Sequence, residues 1–292
     1  MHHAVVDKSV LPDVQASEDT RGIEINRVGV EGVHYPLTIK RKNNGNIQVL
    51  GEFNMFGSLT KHLRGTNMSR PIELLAEQGE EASLSGKVFP EFLHLLSKKL
   101  GADDVYVSAA FDFWMNKVSP ATKRVFPLKY KCKFIGQIYK GKINFIVEVN
   151  VPITTLCPCS RAMSLTDKEA GVGKGAHNQR GVVTLQVVTE PVSPGVWIED
   201  LIEIAEASGS APLYALLKRP DEKFVTEQAY ENPRFVEDVA REVAKRVHKT
   251  EEASWFKVRV RNFEAVHAHQ ATAYVCQKKV ENEWISDNRS FF

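Results

Sequence analysis

No stretch of this chain approaches the roughly 18 uninterrupted apolar residues that a membrane-spanning helix requires. Residues 1–14, which include Asp7, Lys8 and Asp13, also lack the apolar run of a secretory leader. Both absences predict a soluble, cytoplasmic protein with no membrane partner. An excess of one charge is missing too. There are 38 basic and 36 acidic side chains, a net charge of +2. That balance sets up no broad field for nucleic acid or an acidic membrane, although a local basic cluster can still hold a small polyanion. Cysteine is scarce: Cys132, Cys157, Cys159 and Cys276 are the four in 292 residues, too few for a disulfide scaffold. No internal repeat is visible residue by residue. What is present in ordinary measure is apolar content, 43%, enough for a sizeable core in one large domain or two of common size.

Hydrophobic periodicity divides the chain. Residues 1–22 are polar and read as an arm. Alternation and β-branched content predict strands over 23–39, with Gly32 and Pro36 as interruptions, and over 48–59 after the turn at Asn43-Asn44-Gly45-Asn46. Helices are predicted over 69–77 and 88–100. In the second, Val88, Phe92, Leu95, Leu96 and Lys99 map one stripe, and Gly101 ends it. Strands follow over 105–114 and 126–139. The order then recurs: strands over 142–153 and 181–188, helices over 197–207 and 235–248, strands over 255–262 and 270–278. Two units result, residues 23–140 and 141–279, each strand-strand-helix-helix-strand-strand, followed by a polar tail over 280–292. The fold class is α+β, with antiparallel sheet covered by helices on one face.

Three clusters carry chemistry. Thr154-Thr155-Leu156-Cys157-Pro158-Cys159-Ser160 follows an apolar strand, and Pro158 breaks the ladder there, which puts two thiols at the lip of a strand end. Free cysteines are more often small buried hydrophobes, so the Cys-x-Cys pattern alone decides nothing. Gly175-Ala176-His177-Asn178-Gln179-Arg180 places an imidazole just before a strand. Thiolate and imidazole together suit zinc or iron, but two ligands do not make a site. A third must come from the acidic groups. One candidate is Lys218-Arg219-Pro220-Asp221-Glu222-Lys223, which also reads as a charged surface turn. The other is Asn262-Phe263-Glu264-Ala265-Val266-His267-Ala268-His269, whose two histidines share a face if extended.

Together these blocks resemble GTP cyclohydrolase of type IB, the prokaryotic form. Further matching stretches are Pro12-Asp13-Val14-Gln15, Gly65-Thr66-Asn67-Met68-Ser69-Arg70, Leu216-Leu217 before the Lys-Arg-Pro-Asp-Glu-Lys run, Tyr230-Glu231-Asn232-Pro233, and Phe235-Val236-Glu237-Asp238. They fall in family order over about residues 12–278. The resemblance implies the tunnelling fold, in two tandem strand-strand-helix-helix-strand-strand modules, and a homotetramer with active sites at subunit interfaces. It implies a divalent metal (zinc, manganese or iron) on Cys157, His177 and Glu222, with Glu264 and His267 close by. Cys159 is carried over as a further active-site thiol, and Glu237 as the carboxylate that anchors the purine.

The reaction implied is hydrolysis of GTP at carbon 8 to dihydroneopterin triphosphate and formate, serving folate, queuosine or both. His267 is the preferred general acid-base, since an imidazole works in both directions near neutral pH. Lys218, Arg219, Arg180 and Arg70 are candidates for the triphosphate. Two departures stand out. Asn67 takes the place of the family's histidine before Met-Ser-Arg, so position 67 has no side chain for acid-base work. The stretch between Cys159 and Gly175 is longer by about two helical turns, and residues 165–174 are expected to be mobile without substrate. Two other readings compete. A tunnelling-fold nitrile reductase acting on a deazaguanine would use NADPH and no metal. A non-catalytic, zinc-stabilised oligomeric binding protein would unfold when stripped of metal.

Overall fold

A computed structural model describes residues 12–43, 45–78, 88–166, 175–189 and 195–287. Its frame is one antiparallel sheet. The strands are β1 (Ile25–Lys40), β2 (Asn46–Leu59), β3 (Val105–Val118), β4 (Val125–Tyr139), β5 (Lys142–Leu156), β6 (Asn178–Thr189), β7 (Ala211–Pro212), β8 (Ala253–Asn262), β9 (Ala271–Val280) and β10 (Glu283–Ser286). They lie in the order β1-β2-β3-β4-β5-β6-β8-β9-β10, and the two-residue β7 pairs with β5 beyond the point where β4 stops. The sheet runs without a break from β4 to β5, so the two predicted units share one surface.

Period-two alternation explains this sheet. Along β5, Phe145, Val147, Val149, Val151 and Ile153 are buried, as are Val183, Leu185 and Val187 of β6 and Phe256, Val258 and Val260 of β8. Helices cover that face: α1 (Ser69–Gln78) and α2 (Phe89–Leu100) in the first half, α4 (Ile198–Glu206) and α6 (Val236–Val247) in the second. α2 buries Phe89, Phe92, Leu93, Leu96 and Leu100, a stripe at spacings of three and four. The predicted stripe was rotated from this one, because Leu95 faces solvent. Phe89 packs on Phe145 with ring centroids 4.9 Å apart. Gly136 of β4 lies beneath it, where any Cβ would overlap the Phe89 ring. Gly101, left-handed at φ 65°, closes the helix as expected.

Several details differ from the sequence expectation. β1 is continuous through Gly32 and Pro36. Gly32, at φ 69°, sits in a bulge between Val30 and Val33, and Pro36 pairs with Leu50. The second half carries two further helices, α3 (Pro158–Ser164) and α5 (Arg219–Glu231). The polar tail returns as β10, whose Trp284 stacks on His248 at 5.1 Å, while Trp255 Nε1 donates to Asp287 at 3.2 Å. The described part of the arm lies along residues 60–66: Gln15 Nε2 donates to the Thr66 carbonyl at 3.0 Å, and Asp19 N to that of His62 at 3.0 Å. The stretch 165–174 lies outside the described residues beyond Thr166. Among the described residues, no helix is long and apolar enough to cross a membrane.

Candidate functional site

Strand register makes the site. β5 and β6 pair so that Leu156 faces Asn178 and Thr155 faces Gln179. One step further, Cys157 N donates to the His177 carbonyl at 3.1 Å, which brings thiol and imidazole together across a long sequence gap. Cys157 then caps α3: its sulfur accepts from Ser160 N at 3.4 Å, with Pro158 at the first helical position, where a missing N–H costs nothing. Ser160 Oγ in turn accepts from His177 N at 3.3 Å. Gln179, buried in β6, meets His177 Nδ1 through its Oε1 at 3.1 Å. With that oxygen as acceptor, Nδ1 carries the proton and Nε2 keeps a lone pair for a metal or a proton.

The neighbouring strand completes the lining. β6 pairs with β8 up to Gly181 against Asn262, and Phe263 N donates to the Arg180 carbonyl at 2.9 Å. Gly181 allows this approach, since a Cβ there would stand 2.6 Å from Asn262 Oδ1. The loop after β8 then delivers Glu264, His267 and His269. The two imidazoles stack at 5.2 Å, although the segment is bent there rather than extended. From the other side comes the start of α6, held by Arg234 N donating to the Leu156 carbonyl at 3.0 Å. A pocket of about 250 Å³ results, lined by Cys157, His177, Gln179, Arg234, Glu237, Asn262, Glu264, His267 and His269 among others. Asn262 Oδ1 is buried against Gly181 without a partner among the described residues.

The acidic pair at the mouth of α6 divides its labour. Asp238 Oδ2 accepts from Phe235 N at 3.0 Å and so closes the helix cap, and Arg241 stands 3.7 Å from its other oxygen. Glu237 has no partner among the described residues and lines the pocket. The Lys-Arg-Pro-Asp-Glu-Lys run is the first turn of α5 rather than a surface turn. Asp221 is fully buried and accepts from Ala121 N and Thr122 N, both at 2.8 Å, from Thr122 Oγ1 at 2.5 Å and from Lys218 N at 3.0 Å. Burial alone would raise its pKa, but these hydrogen bonds outweigh it and hold the carboxyl below its ordinary value. Its neighbour Glu222 faces solvent.

Not every predicted residue reaches the pocket within one chain. Glu222, Lys218 and Arg219 are exposed at the N-terminal turn of α5. The other end of that helix is the one tied to α3, through Arg161 over Tyr230 at 4.9 Å. Glu222 therefore lies about 12 Å along the helix axis from that contact, at 1.5 Å per residue. Among the described residues no three His, Cys, Asp or Glu side chains converge as a metal would require. Arg70 belongs to the first half, donating to the Lys99 carbonyl at 3.1 Å. Arg180 is exposed on β6, opposite Thr154, and Cys159 is exposed on α3. The remaining thiols, Cys132 and Cys276, are buried away from this site, and burial pushes Cys132 far up. Sequence reasoning missed Gln179 as the residue that orients His177, and Arg234. The signal for Arg234 was modest: a lone cation between Pro233 and an apolar helix start.

A family model described as Type I GTP cyclohydrolase folE2 matches residues 11–273. The chain is 41% identical over 268 residues to GTP cyclohydrolase FolE2 of Citrifermentans bemidjiense, covering 92% of this chain and 95% of that protein. It is 42% identical over 272 residues to GTP cyclohydrolase FolE2 of Fervidobacterium nodosum, covering 93% and 99%. Among solved structures, uricase from Arthrobacter globiformis superposes with a TM-score of 0.51 at 8% identity over 91% of this chain and 94% of that one, a likeness of fold: the α+β tunnelling fold. The chain belongs to the type I GTP cyclohydrolase folE2 family.

Proposed function

We propose that this chain hydrolyses GTP to 7,8-dihydroneopterin triphosphate and formate, the first step of pterin and folate synthesis. The observation that carries the reading is the pocket that gathers Cys157, His177, Glu264 and His267 beside an unpartnered Glu237, in a chain of this family. Guanine presents two adjacent donors, its ring N1–H and its exocyclic amine. A free carboxylate accepts both at once, which is the part given to Glu237. The base then lies with carbon 8 towards Cys157 and His177. His267, on the facing loop, moves the protons that hydrolysis requires. Cys159, exposed on the first turn of α3 two residues after Cys157, is the proposed second thiol. Arg180, Lys218, Arg219 and Arg70 serve the triphosphate.

The donor set fits a divalent metal in kind: a thiol, an imidazole whose Nδ1 is engaged by Gln179, and a carboxylate. The ligands proposed are Cys157, His177 and Glu222, with Glu264 and His267 beside them, and zinc, manganese and iron all suit such a set. What a divalent ion supplies here when bound is activation of water, whose pKa it can lower to about 7. One chain lines a single pocket with the first two ligands and Glu264, but not with Glu222.

That incompleteness supports a homotetramer with sites at subunit interfaces. The blocks around Gln15, Thr66 and Arg70 meet each other in the first half, far along the sheet order from β5 and β6. The sheet also ends in two open edges, β1 and β10, which an assembly would cover. The deciding experiment uses protein purified without added metal. It measures metal content, formate release and pterin fluorescence after incubation with GTP. Formate and pterin formed in equal amounts are expected. NADPH oxidation with a deazaguanine nitrile and no formate from GTP would replace this reading with the reductase.

A further inference from the structure

Arg234 is the only arginine or lysine among the described residues that line the pocket. Its position is fixed at two points. Its backbone N donates to the Leu156 carbonyl at 3.0 Å, one residue before Cys157. Its Nε donates to Asn232 Oδ1 at 3.0 Å. Asn232 is itself held, with Nδ2 donating to the carbonyls of Gly209 at 3.0 Å and Ser210 at 3.3 Å. Ser210 closes the circuit on β5: its N donates to the Thr154 carbonyl at 2.9 Å, and its Oγ accepts from Leu156 N at 3.1 Å. With backbone N and Nε engaged, Nη1 and Nη2 have no partner among the described residues. The result is a rigid two-pronged donor with no acceptors of its own.

Its place in the pocket suggests what it takes. Arg234 stands three residues before Glu237 and is bonded to the residue before Cys157, so it lies between the purine anchor and the reacting end. Guanine has the same order around its rim: the N1–H and amine edge, then O6 and N7, then carbon 8. An arginine fork matches the O6/N7 pair in geometry. We propose that Arg234 binds the O6/N7 edge of the guanine ring, an inference that rests on the cyclohydrolase reading above. Held at both edges, the base cannot rotate, and carbon 8 faces Cys157 and His177. The same contact favours addition of water. As the new C8–O bond forms, the electron pair of the N7=C8 bond moves onto N7, and N7 gains the proton that the water loses. The guanidinium keeps its own protons and stabilises that pair.

The rival role for a lone cation is to bind phosphate, and guanosine separates the two because it has the O6/N7 edge and no phosphate. Calorimetry on metal-loaded protein compares guanosine with 7-deazaguanosine, which has C–H in place of N7, in the wild type and in Arg234→Gln. The wild type should prefer guanosine by about tenfold. Arg234→Gln should weaken guanosine by at least about tenfold, abolish the preference, and lower kcat/KM for GTP to match. Arg234→Lys keeps the charge and the bond to Leu156, and should recover only part, since an ammonium is not a fork. Guanosine affinity unchanged in Arg234→Gln, with only the KM for GTP raised, would mark a phosphate ligand and overturn the proposal. So would an intact N7 preference in that variant, or, should Arg234→Gln fail to fold, wild-type guanosine affinity in Arg234→Lys. Arg234-dependent guanosine binding in a protein that releases no formate from GTP would uphold the contact and overturn the cyclohydrolase reading instead.

Discussion

Glu237 and Asp238 are adjacent acidic residues on one helix turn, and the structure gives them different work. Asp238 is engaged, bonded to Phe235 N at 3.0 Å as the cap of α6. Glu237 has no partner and lines the pocket. Replacing each by alanine therefore separates stability from catalysis. Asp238→Ala removes a cap bond and a favourable charge at a helix N-terminus, together about 1 kcal/mol of stability. Its ion pair with Arg241, at 3.7 Å and mostly solvated on the arginine side, adds little. Turnover should change by no more than a few fold. Glu237→Ala loses a smaller dipole contribution, under about 1 kcal/mol. Its catalytic cost is larger. Two charge-assisted hydrogen bonds to guanine are worth about 1.5–3 kcal/mol each and do not simply add. A loss near 3 kcal/mol, about a hundredfold in kcat/KM for GTP, is expected.

Glu237→Gln sharpens the contrast. It keeps the side-chain length but sets an amide donor against a guanine donor, so it should do no better than alanine. ITP, which lacks the exocyclic amine, supplies the cycle. Wild-type enzyme should prefer GTP to ITP, and the Glu237 variants should lose most of that preference. The measurements are kcat/KM for both nucleotides, with circular dichroism and thermal melting as folding controls. Equal effects from Glu237→Ala and Asp238→Ala, or an undiminished GTP preference without Glu237, would refute the assignment.

Four further outcomes are expected. Cys157→Ala and Glu222→Gln should lose bound metal and turnover while keeping fold and assembly, whereas Glu264→Gln should retain metal. Elemental analysis of the purified variants decides, and full activity in Cys157→Ala would remove the thiol from the site. Light scattering should give a tetramer, and an active monomer would contradict interface sites. Glu206→Ala should cost about 3–5 kcal/mol in urea unfolding, because buried Glu206 accepts from the Tyr130 hydroxyl at 2.6 Å and pairs with Lys117. A loss below about 1 kcal/mol would show that water replaces it. Asp221 has a folded pKa held below the ordinary aspartate value of 3.8, so its contribution is complete above pH about 4 and declines as pH falls through the lower folded value. Amide exchange at Ala121 and Thr122, compared with Asp221→Ala, should show protection that persists to below pH 4, and protection already lost at pH 5 would reverse the sign.

The strands were legible because alternation over ten or more residues leaves little ambiguity, as in β5 and β8, and the helices α2, α4 and α6 because each buries a continuous stripe. α5 was not legible. Its buried residues are Asp221 and Ala229, so no apolar stripe exists to be read, and it is anchored by a carboxylate. α3 escaped notice because it is short and begins directly on the Cys-x-Cys block. Within the site, Cys157, His177, Glu264 and His267 could be named from their blocks, but what joins them is the register Leu156 to Asn178 and Gly181 to Asn262. Residue spacing carries no record of register. Gln179 was unreadable for the same reason, and Arg234 gave only a modest signal: their surroundings come from what they face.

Register also explains why the pocket sits where it does. Antiparallel pairing brings the C-terminal ends of β5 and β8 and the N-terminal ends of β6 and β9 to one end of the sheet. The same end in the first half collects the ends of β1 and β3 and the starts of β2 and β4. The topology is alike, but the chemistry differs. There, Lys42 meets Asp200 at 2.5 Å, Arg41 stands 3.5 Å from Glu199, Lys117 pairs with Glu206, and the turn at Ala121 and Thr122 holds Asp221. Every one of those partners belongs to α4 or α5 of the second half. One set of strand ends is thus spent on clamping the helices of the other half, through ion pairs and a buried carboxylate within the chain. The second set is left with a thiol, imidazoles, carboxylates and a guanidinium that face one cavity, several of them unpartnered. Of these, Glu264 and the Arg234 Nη atoms are half-buried without a partner among the described residues, and such groups are costly unless water or a ligand satisfies them. A substrate with several polar edges, such as guanine, would offset that cost, which is why we place the proposed chemistry at this end of the second half.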